Sequence, residues 1–292
     1  MKRFFIKTAL LVSALTLCQA AQGWGWAHRL IAYMALRHCT ETTRAELDRY
    51  LDVPITGIAE WMDAYRDYDW GGKDWSEAPD YVRTTHWHMA SVDENGEPCM
   101  VSQRKDGNGI AVPMLQQCWD KMKNYKQMTD SAVVVNIKYI VHVAGDMHCP
   151  AHCYYAKLPA WPKPENTGLD SRYGWFPCTY NGKTTTYHSM WDGAPERVHP
   201  EFEKRMDRFT DHIDTLSVAS QRAAIAGKAY DWGKDNAVFC WQIYELGYGP
   251  GATFTDEFYR RHGWIAIRQV QYASYRLAHV LNDIFDPNYR GL

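Results

Sequence analysis

The sequence predicts a mainly α-helical, single-domain fold with long irregular loops and little sheet. Three observations carry that expectation. Apolar residues recur at three- and four-residue spacing through most of the chain. Alternating β-branched runs are too sparse for a major sheet. No Gly-, Ser- or Pro-rich linker divides the 292 residues, a length that one core can organise.

Taken in order, residues 1–23 read as a cleavable secretory signal. Lys2, Arg3 and Lys7 precede an apolar stretch, and Ala21-Gln22-Gly23 supplies the small residues of a cleavage site. The apolar run is about ten residues, too short to span a bilayer. A secreted or periplasmic protein without a transmembrane segment is expected, with residues 24–292 as the working domain. Cleavage leaves Trp24 first, and a free α-amino group with a pKa near 8 can chelate a metal together with its own carbonyl oxygen. His28, four residues on, could complete the grip; the competing reading makes Trp24-Gly25-Trp26 an aromatic strap. Removing three cationic residues takes the formal charge from −2 to −5. That excludes a basic face gripping long duplex DNA, but not an enzyme that takes phosphate esters onto bound cations. Seven cysteines remain after Cys18; export permits disulfides, an odd count leaves a thiol over, and the pairing is not legible. Cys149 and Cys153 flank the richest histidine segment and stand as alternative thiolate ligands.

Helical spacing covers 27–51 as two helices with a break at 39–43, then 58–65, 110–128, 132–143, 202–216, 222–244 and 254–285. The segment 67–82 reads as a loop and 84–89 as extended, with His88 the inward ligand and His86 a bystander. The stretch 94–109 reads as a surface hairpin or loop, and 157–182 as a long irregular excursion that delivers the chain to His188.

The chemistry concentrates at His142-Val143-Ala144-Gly145-Asp146-Met147-His148-Cys149-Pro150-Ala151-His152. His142 and Asp146 lie one turn apart on one helix face, a chelating spacing. His152 lies beyond Pro150, which ends or bends the helix and turns this side chain toward a different point. One segment can therefore serve two neighbouring ions. The same pairing recurs at His188 and Asp192. Asp63 and Arg66, three apart, read either as an intrahelical ion pair or as a metal carboxylate beside a guanidinium. His199, His212, His262 and His279 lack acidic partners at ligand spacing and read as structural. The remaining candidates, namely the Trp24 terminus, His28, Asp63, His88, His142, Asp146, His152, His188 and Asp192, are too many for one ion. Imidazole with carboxylate suits zinc in open, catalytic sites. Adjacent divalent ions hold a phosphate, activate water and neutralise a leaving alkoxide, and Arg66 can add charge in the transition state.

Trp24 with His28, the Trp61–Arg66 segment, Trp87-His88, the His142-x3-Asp146-x5-His152 segment and His188-Ser-Met-Trp-Asp192 together resemble the S1/P1 nuclease family. Trp232-Gly-Lys-Asp-Asn and Ala273-Ser-Tyr-Arg-Leu-Ala extend the similarity over nearly all of 24–292. The resemblance implies a helical fold of the phospholipase C/P1 nuclease type and a zinc-dependent phosphodiesterase. Such an enzyme cuts single-stranded DNA and RNA at the 3′ ester to leave 5′-nucleotides, with 3′-nucleotidase activity on nucleotide 3′-phosphates. It further implies three zinc ions: one on Asp63, His88, His142 and Asp146; one on His152, His188 and Asp192; one on the Trp24 amine and carbonyl with His28 and a bridging Asp146. Metal-bound hydroxide would then attack phosphorus, the second zinc would stabilise O3′, and Arg66 would steady the pentacovalent phosphate. The chain departs from the family's pattern in two places. The Trp24 to His28 spacing is one residue short, and Met89 and Ser91 stand where the family carries a stacking aromatic and an Asp. Trp87 and Asp93 are the expected substrate contacts in their place. The alternatives are a zinc-dependent phospholipase C, which ends its second site in His-x3-Glu where Asp192 stands here, and a non-catalytic zinc-binding envelope protein.

Overall fold

A computed structural model gives the fold for residues 24–66, 84, 87–93, 95–101, 109–155, 176–202 and 204–292. The expected signal at 1–23, the whole loop at 67–82, His86 and most of the excursion at 157–182 lie outside the described residues.

The longest helix, α13 (Trp264–Phe285), presents Ile265, Val270, Ala273, Leu277, Val280, Leu281 and Phe285 to the core. Against it pack α1 (Gly25–His38), α2 (Glu41–Tyr50), α5 (Ala111–Met122), α6 (Asp130–Asp146), α8 (Ala194–Val198) and α10 (Val218–Ile225). Helix α11 (Ala229–Glu245) lies on α5, where Trp119 and Trp232 stack at 5.4 Å. Short helices α3 (Ile55–Ile58), α4 (Trp61–Arg66), α7 (Tyr187–Asp192), α9 (Met206–Ile213) and α12 (Asp256–His262) complete the mainly α architecture. Among the described residues there are two small sheets: β1 (Ala90–Val92) runs parallel to β2 (Cys153–Tyr155), and β3 (Pro177–Tyr180) sits between β4 (Lys183–Thr186) and β5 (Thr253–Phe254).

Local chemistry explains the boundaries. The break between α1 and α2 falls at Cys39 and Thr40, where the Thr40 side chain accepts a hydrogen bond from the Thr43 N–H and caps α2. Thr129 caps α6 in the same way through the Ala132 N–H. Asn181 and Gly182, both at positive φ, make the two-residue turn of the β3–β4 hairpin.

Several expectations are corrected. The expected helix at 222–244 is two helices, because Gly227 at φ 83° turns the chain between α10 and α11. The one expected at 254–285 breaks at Gly263, where an added Cβ would meet Val198 at 2.1 Å. Helix 110–128 ends at Met122 and is followed by a separate 3-10 turn, and the helix expected over 202–216 shrinks to α9. The extended segment starts at Ala90 rather than at 84, with His88 in a bend before it. The excursion at 157–182 ends in β3 rather than staying irregular.

Candidate metal centre

Helix α6 is the platform. Its last two turns carry His142 and Asp146, both buried, and the four-residue spacing sets His142 Nε2 3.0 Å from Asp146 Oδ2. The helix stops after Asp146 in consecutive turns (His148 N–H to Gly145 O, Cys149 N–H to Asp146 O, His152 N–H to Cys149 O) that bring His152 back toward the same carboxylate. His152 Nδ1 lies 3.1 Å from Asp146 Oδ1. The expected change of direction at Pro150 is thus a reversal onto the other oxygen of Asp146.

The end of a helix leaves carbonyls without intrahelical donors, and here α11 and α13 supply them. Asn236 donates to Met147 O at 2.8 Å, Gln269 to His148 O at 2.8 Å, and Tyr244 to Cys153 O at 2.8 Å. His148 belongs to this scaffold and not to the metal set. Its Nδ1–H donates to Ala144 O at 2.6 Å while Nε2 accepts from the buried Arg276 at 2.9 Å. Burial first, and then the Arg276 cation, hold its pKa well below the ordinary imidazole value. Arg276 in turn pairs with Asp235 at 2.5 Å.

Three further elements converge on Asp146. Helix α4 brings Asp63, whose Oδ1 stands 3.6 Å from both His88 Nδ1 and His142 Nε2. The bend before β1 brings His88, and the parallel pairing of β1 with β2, begun by the Ala90 N–H to His152 O bond, locks His88 to the His152 segment. His88 Nδ1 is 2.7 Å from Asp146 Oδ2 and 3.1 Å from His142 Nε2. Helix α1 brings His28, which stacks on His142 at 4.1 Å and places Nε2 3.2 Å from Asp146 Oδ1. Only a glycine at 145 allows this approach, since an added Cβ would fall 2.3 Å from His28 Nδ1. Trp24 is fully buried, its ring edge-on to His28 at 6.1 Å.

A second group lies on α7. Thr186 caps that helix through the Ser189 N–H, and His188 and Asp192, one turn apart, set Nε2 3.4 Å from Oδ2. His152 Nε2 is 3.4 Å from Asp192 Oδ1, and the His152 and His188 rings stack at 4.8 Å. Cys149 Sγ donates to Asp192 Oδ1 at 3.3 Å.

The electrostatics follow from this crowding. Burial opposes charge on Asp146, but His142, His152 and His88 overcome it and hold the carboxyl well below its ordinary pKa. Burial likewise opposes charge on His142, yet Asp146 and Asp63 raise its pKa. His152 is raised well above the ordinary value against burial, chiefly by Cys149 and Asp146. For His88 burial wins and the pKa falls. Asp192 is depressed against burial by His188 and His152.

These residues fit metal ions. A tetrahedral ion with ligands near 2.0–2.1 Å spaces its ligand atoms about 3.3 Å apart. The facing atoms of Asp63, His88, His142 and Asp146 are 2.7 to 3.6 Å apart over five of their six pairs. His142 is oriented as a ligand: a carbonyl can only accept, so Nδ1–H donates to Ala59 O at 2.7 Å and Nε2 faces the cluster. Among the described residues, the buried His28 Nδ1 and His88 Nε2 have no hydrogen-bond partner. A histidine–aspartate hydrogen-bond network built for stability alone would not leave them so.

The remaining expected residues divide. The backbone of Arg66 ends α4, but its side chain lies outside the described residues. Trp87 turns toward α5 and α6, meeting Tyr139 edge-on at 4.8 Å, and lines a cavity of about 500 Å³ with Met114, Gln117 and Lys121. The Asp93 carboxylate accepts from the Asn95 and Glu97 N–H groups at 2.8 and 2.9 Å, closing a turn. Sequence reasoning overlooked Arg29 and Arg197, which line a polar cleft of about 280 Å³ that opens at Asp192. Arg29 stands one residue after His28, the only signal that pointed to it.

A helical shell closes over two adjoining His/Asp clusters whose groups could hold metal ions. The comparisons make the class specific. The chain matches the S1/P1 Nuclease family over residues 24–286 and belongs to it. It is 22% identical over 296 residues to Nuclease S1 of Aspergillus oryzae, covering 92% of this chain and 95% of that protein. The chain is therefore a nuclease, a hydrolase of phosphoester bonds. Among the described residues, no helix is long and apolar enough to cross a membrane.

Proposed function

We propose that this chain is a zinc-dependent, exported phosphodiesterase. It hydrolyses the 3′ phosphoester of single-stranded DNA and RNA to 5′-nucleotides and also removes phosphate from nucleotide 3′-phosphates. The observation that carries this reading is the set of tetrahedral spacings among Asp63, His88, His142 and Asp146, joined through Asp146 to the second cluster. Imidazole and carboxylate donors suit zinc. Zinc, when bound, supplies positive charge for the phosphoryl oxygens and activates water near neutral pH.

The protein's own residues divide the work. Asp63, His88, His142 and Asp146 hold one ion, His152, His188 and Asp192 a second, and the Trp24 terminus with His28 and Asp146 a third. Asp146 keeps Oδ1 and Oδ2 turned to different clusters, so its charge is shared. The Ala59 carbonyl fixes the ring of His142. Arg66 lends its guanidinium to the phosphate, and Trp87 contacts the substrate beyond the scissile group.

Removal of residues 1–23 is part of this reading. Cleavage before Trp24 frees the amine that this reading makes a ligand.

The test is to load the processed protein with zinc and present denatured DNA, 3′-AMP and a short-chain phosphatidylcholine. Cleavage of DNA to 5′-phosphate ends and release of phosphate from 3′-AMP are expected. Hydrolysis of the phospholipid alone would make it a phospholipase C, and no turnover of any would make it a zinc-binding protein.

A further inference from the structure

We propose that Cys149 is a ligand of the second ion, so that this site carries a thiolate beside His152, His188 and Asp192. The inference rests on the metal reading above and adds a donor to it. Cys149 is fully buried, and its Sγ, Asp192 Oδ1 and a ring nitrogen of His152 all lie within 4.8 Å of one another. A tetrahedral zinc with sulfur at 2.3 Å and oxygen near 2.0 Å sets those two atoms about 3.5 Å apart, and a nitrogen and an oxygen about 3.3 Å apart. The structure has Cys149 Sγ 3.3 Å from Asp192 Oδ1, and His152 Nε2 and His188 Nε2 each 3.4 Å from an Asp192 oxygen.

A thiol that merely donates to a carboxylate accounts for the Cys149–Asp192 contact alone. It does not account for two stacked, buried imidazoles, 4.8 Å apart and 12° from parallel, crowding the same carboxylate. A cation held among Cys149, His152 and Asp192 accounts for three of these groups, and His188 meets the other Asp192 oxygen at 3.4 Å. The backbone holds Cys149 there. Its N–H bonds Asp146 O, its carbonyl accepts from the His152 N–H, and Cys240 Sγ donates to the same carbonyl at 3.8 Å. The sulfur is thus placed by the same turn that reverses His152 onto Asp146.

On ligation the thiol proton leaves to solvent and the sulfur lone pair forms the coordinate bond. Thiolate and carboxylate together neutralise a divalent ion. Cys149, His152, His188 and Asp192 would together offer a zinc ion four protein donors. The sulfur also biases the site toward zinc and other thiophilic ions over magnesium and manganese.

The test uses metal alone as probe. Cobalt(II)-loaded protein should show a near-ultraviolet sulfur-to-cobalt charge-transfer band that Cys149→Ser and Cys149→Ala lose. Both variants should bind one ion at least about tenfold more weakly and keep the others. Cys149→Ser retains a hydroxyl that can hydrogen-bond Asp192, so wild-type metal affinity in that variant, or a band that survives in it, overturns the proposal. X-ray absorption at the zinc edge of the unaltered protein needs no variant to fold: a zinc–sulfur distance near 2.3 Å is expected, and shells of nitrogen and oxygen alone refute the thiolate. These readouts report ligation whether or not the loaded protein cuts nucleic acid. Cleavage without a sulfur shell counts against the thiolate, and a sulfur shell without cleavage counts against the nuclease mechanism.

Discussion

Replacing Gly145 by alanine perturbs the centre with a single methyl group and no change of charge. The new Cβ falls 2.3 Å from His28 Nδ1 and 2.6 Å from Cε1. Ordinary contact begins at 3.4 Å, so the ring has to retreat by about 1 Å. It has little room to do so, being stacked on His142 at 4.1 Å with Nε2 3.2 Å from Asp146 Oδ1. A retreat of that size takes Nε2 beyond the roughly 3.3 Å spacing that two ligands of one ion require. Overpacking a filled site costs about 1–3 kcal/mol, which for a chain of this size lowers Tm by roughly 2–12 °C. Misplacing a catalytic group by about 1 Å costs on the order of a hundredfold in rate. The assay is metal content by mass spectrometry, thermal unfolding, and the rate on denatured DNA. Gly57→Ala serves as the control, since its Cβ meets only Val53, at 3.3 Å on an exposed turn. Wild-type metal content and rate in Gly145→Ala would refute the account of how α1 and α6 share the site.

Three further outcomes are expected. A protein carrying an uncleaved tag before Trp24 should bind one ion fewer and lose activity; full occupancy and full rate would show that the terminal amine is not a ligand. Arg276→Met removes the donor to His148 Nε2 and Ala224 O in the core, and leaves Asn236 Oδ1 with only the 3.5 Å contact from Gln269. It should destabilise the protein by about 1–3 kcal/mol per stranded group that finds no water, and denaturant unfolding with an unchanged midpoint would contradict the scaffold role. Without metal, Asp146 and Asp63 raise the pKa of His142, and Cys149 and Asp146 raise that of His152, so both rings keep their protons to higher pH than free imidazole and an incoming cation competes with them. Metal affinity should therefore fall as pH drops below about 7. Calorimetry in buffers of different ionisation enthalpy should register proton release, and a pH-independent affinity with no release would be inconsistent with it.

What was legible in the sequence was local. The i,i+4 spacing of His142 with Asp146 and of His188 with Asp192 survives into the structure because each pair rides one helix, and Pro150 marked the turn that redirects His152. The convergence of Asp63, His88 and His28 depends on α1, α4 and the β1–β2 pairing meeting at α6, which no local pattern encodes. The role of Gly145 was equally hidden, since its reason is a ring from a helix about 120 residues away. The scaffold role of His148 was not legible either, because the Arg276 that takes its free nitrogen is remote in sequence. The turn closed by Asp93 could have been read from Asp93-x-Asn95-Gly96, where an Asp side chain commonly bonds the N–H two residues on. The helix breaks at Gly227 and Gly263 were missed because apolar spacing continues across both. At Gly263 the cause is contact with Val198, in another helix.

The central claim is that one carboxylate, Asp146, joins the two clusters. Zinc per chain, measured by mass spectrometry on wild type and on Asp146→Asn purified and dialysed side by side, tests it most directly. Three ions in wild type and a loss of more than one in the variant are expected, because His28 and His152 face Oδ1 while His88 and His142 face Oδ2. Loss of a single ion, or of none, would contradict the shared-carboxylate account.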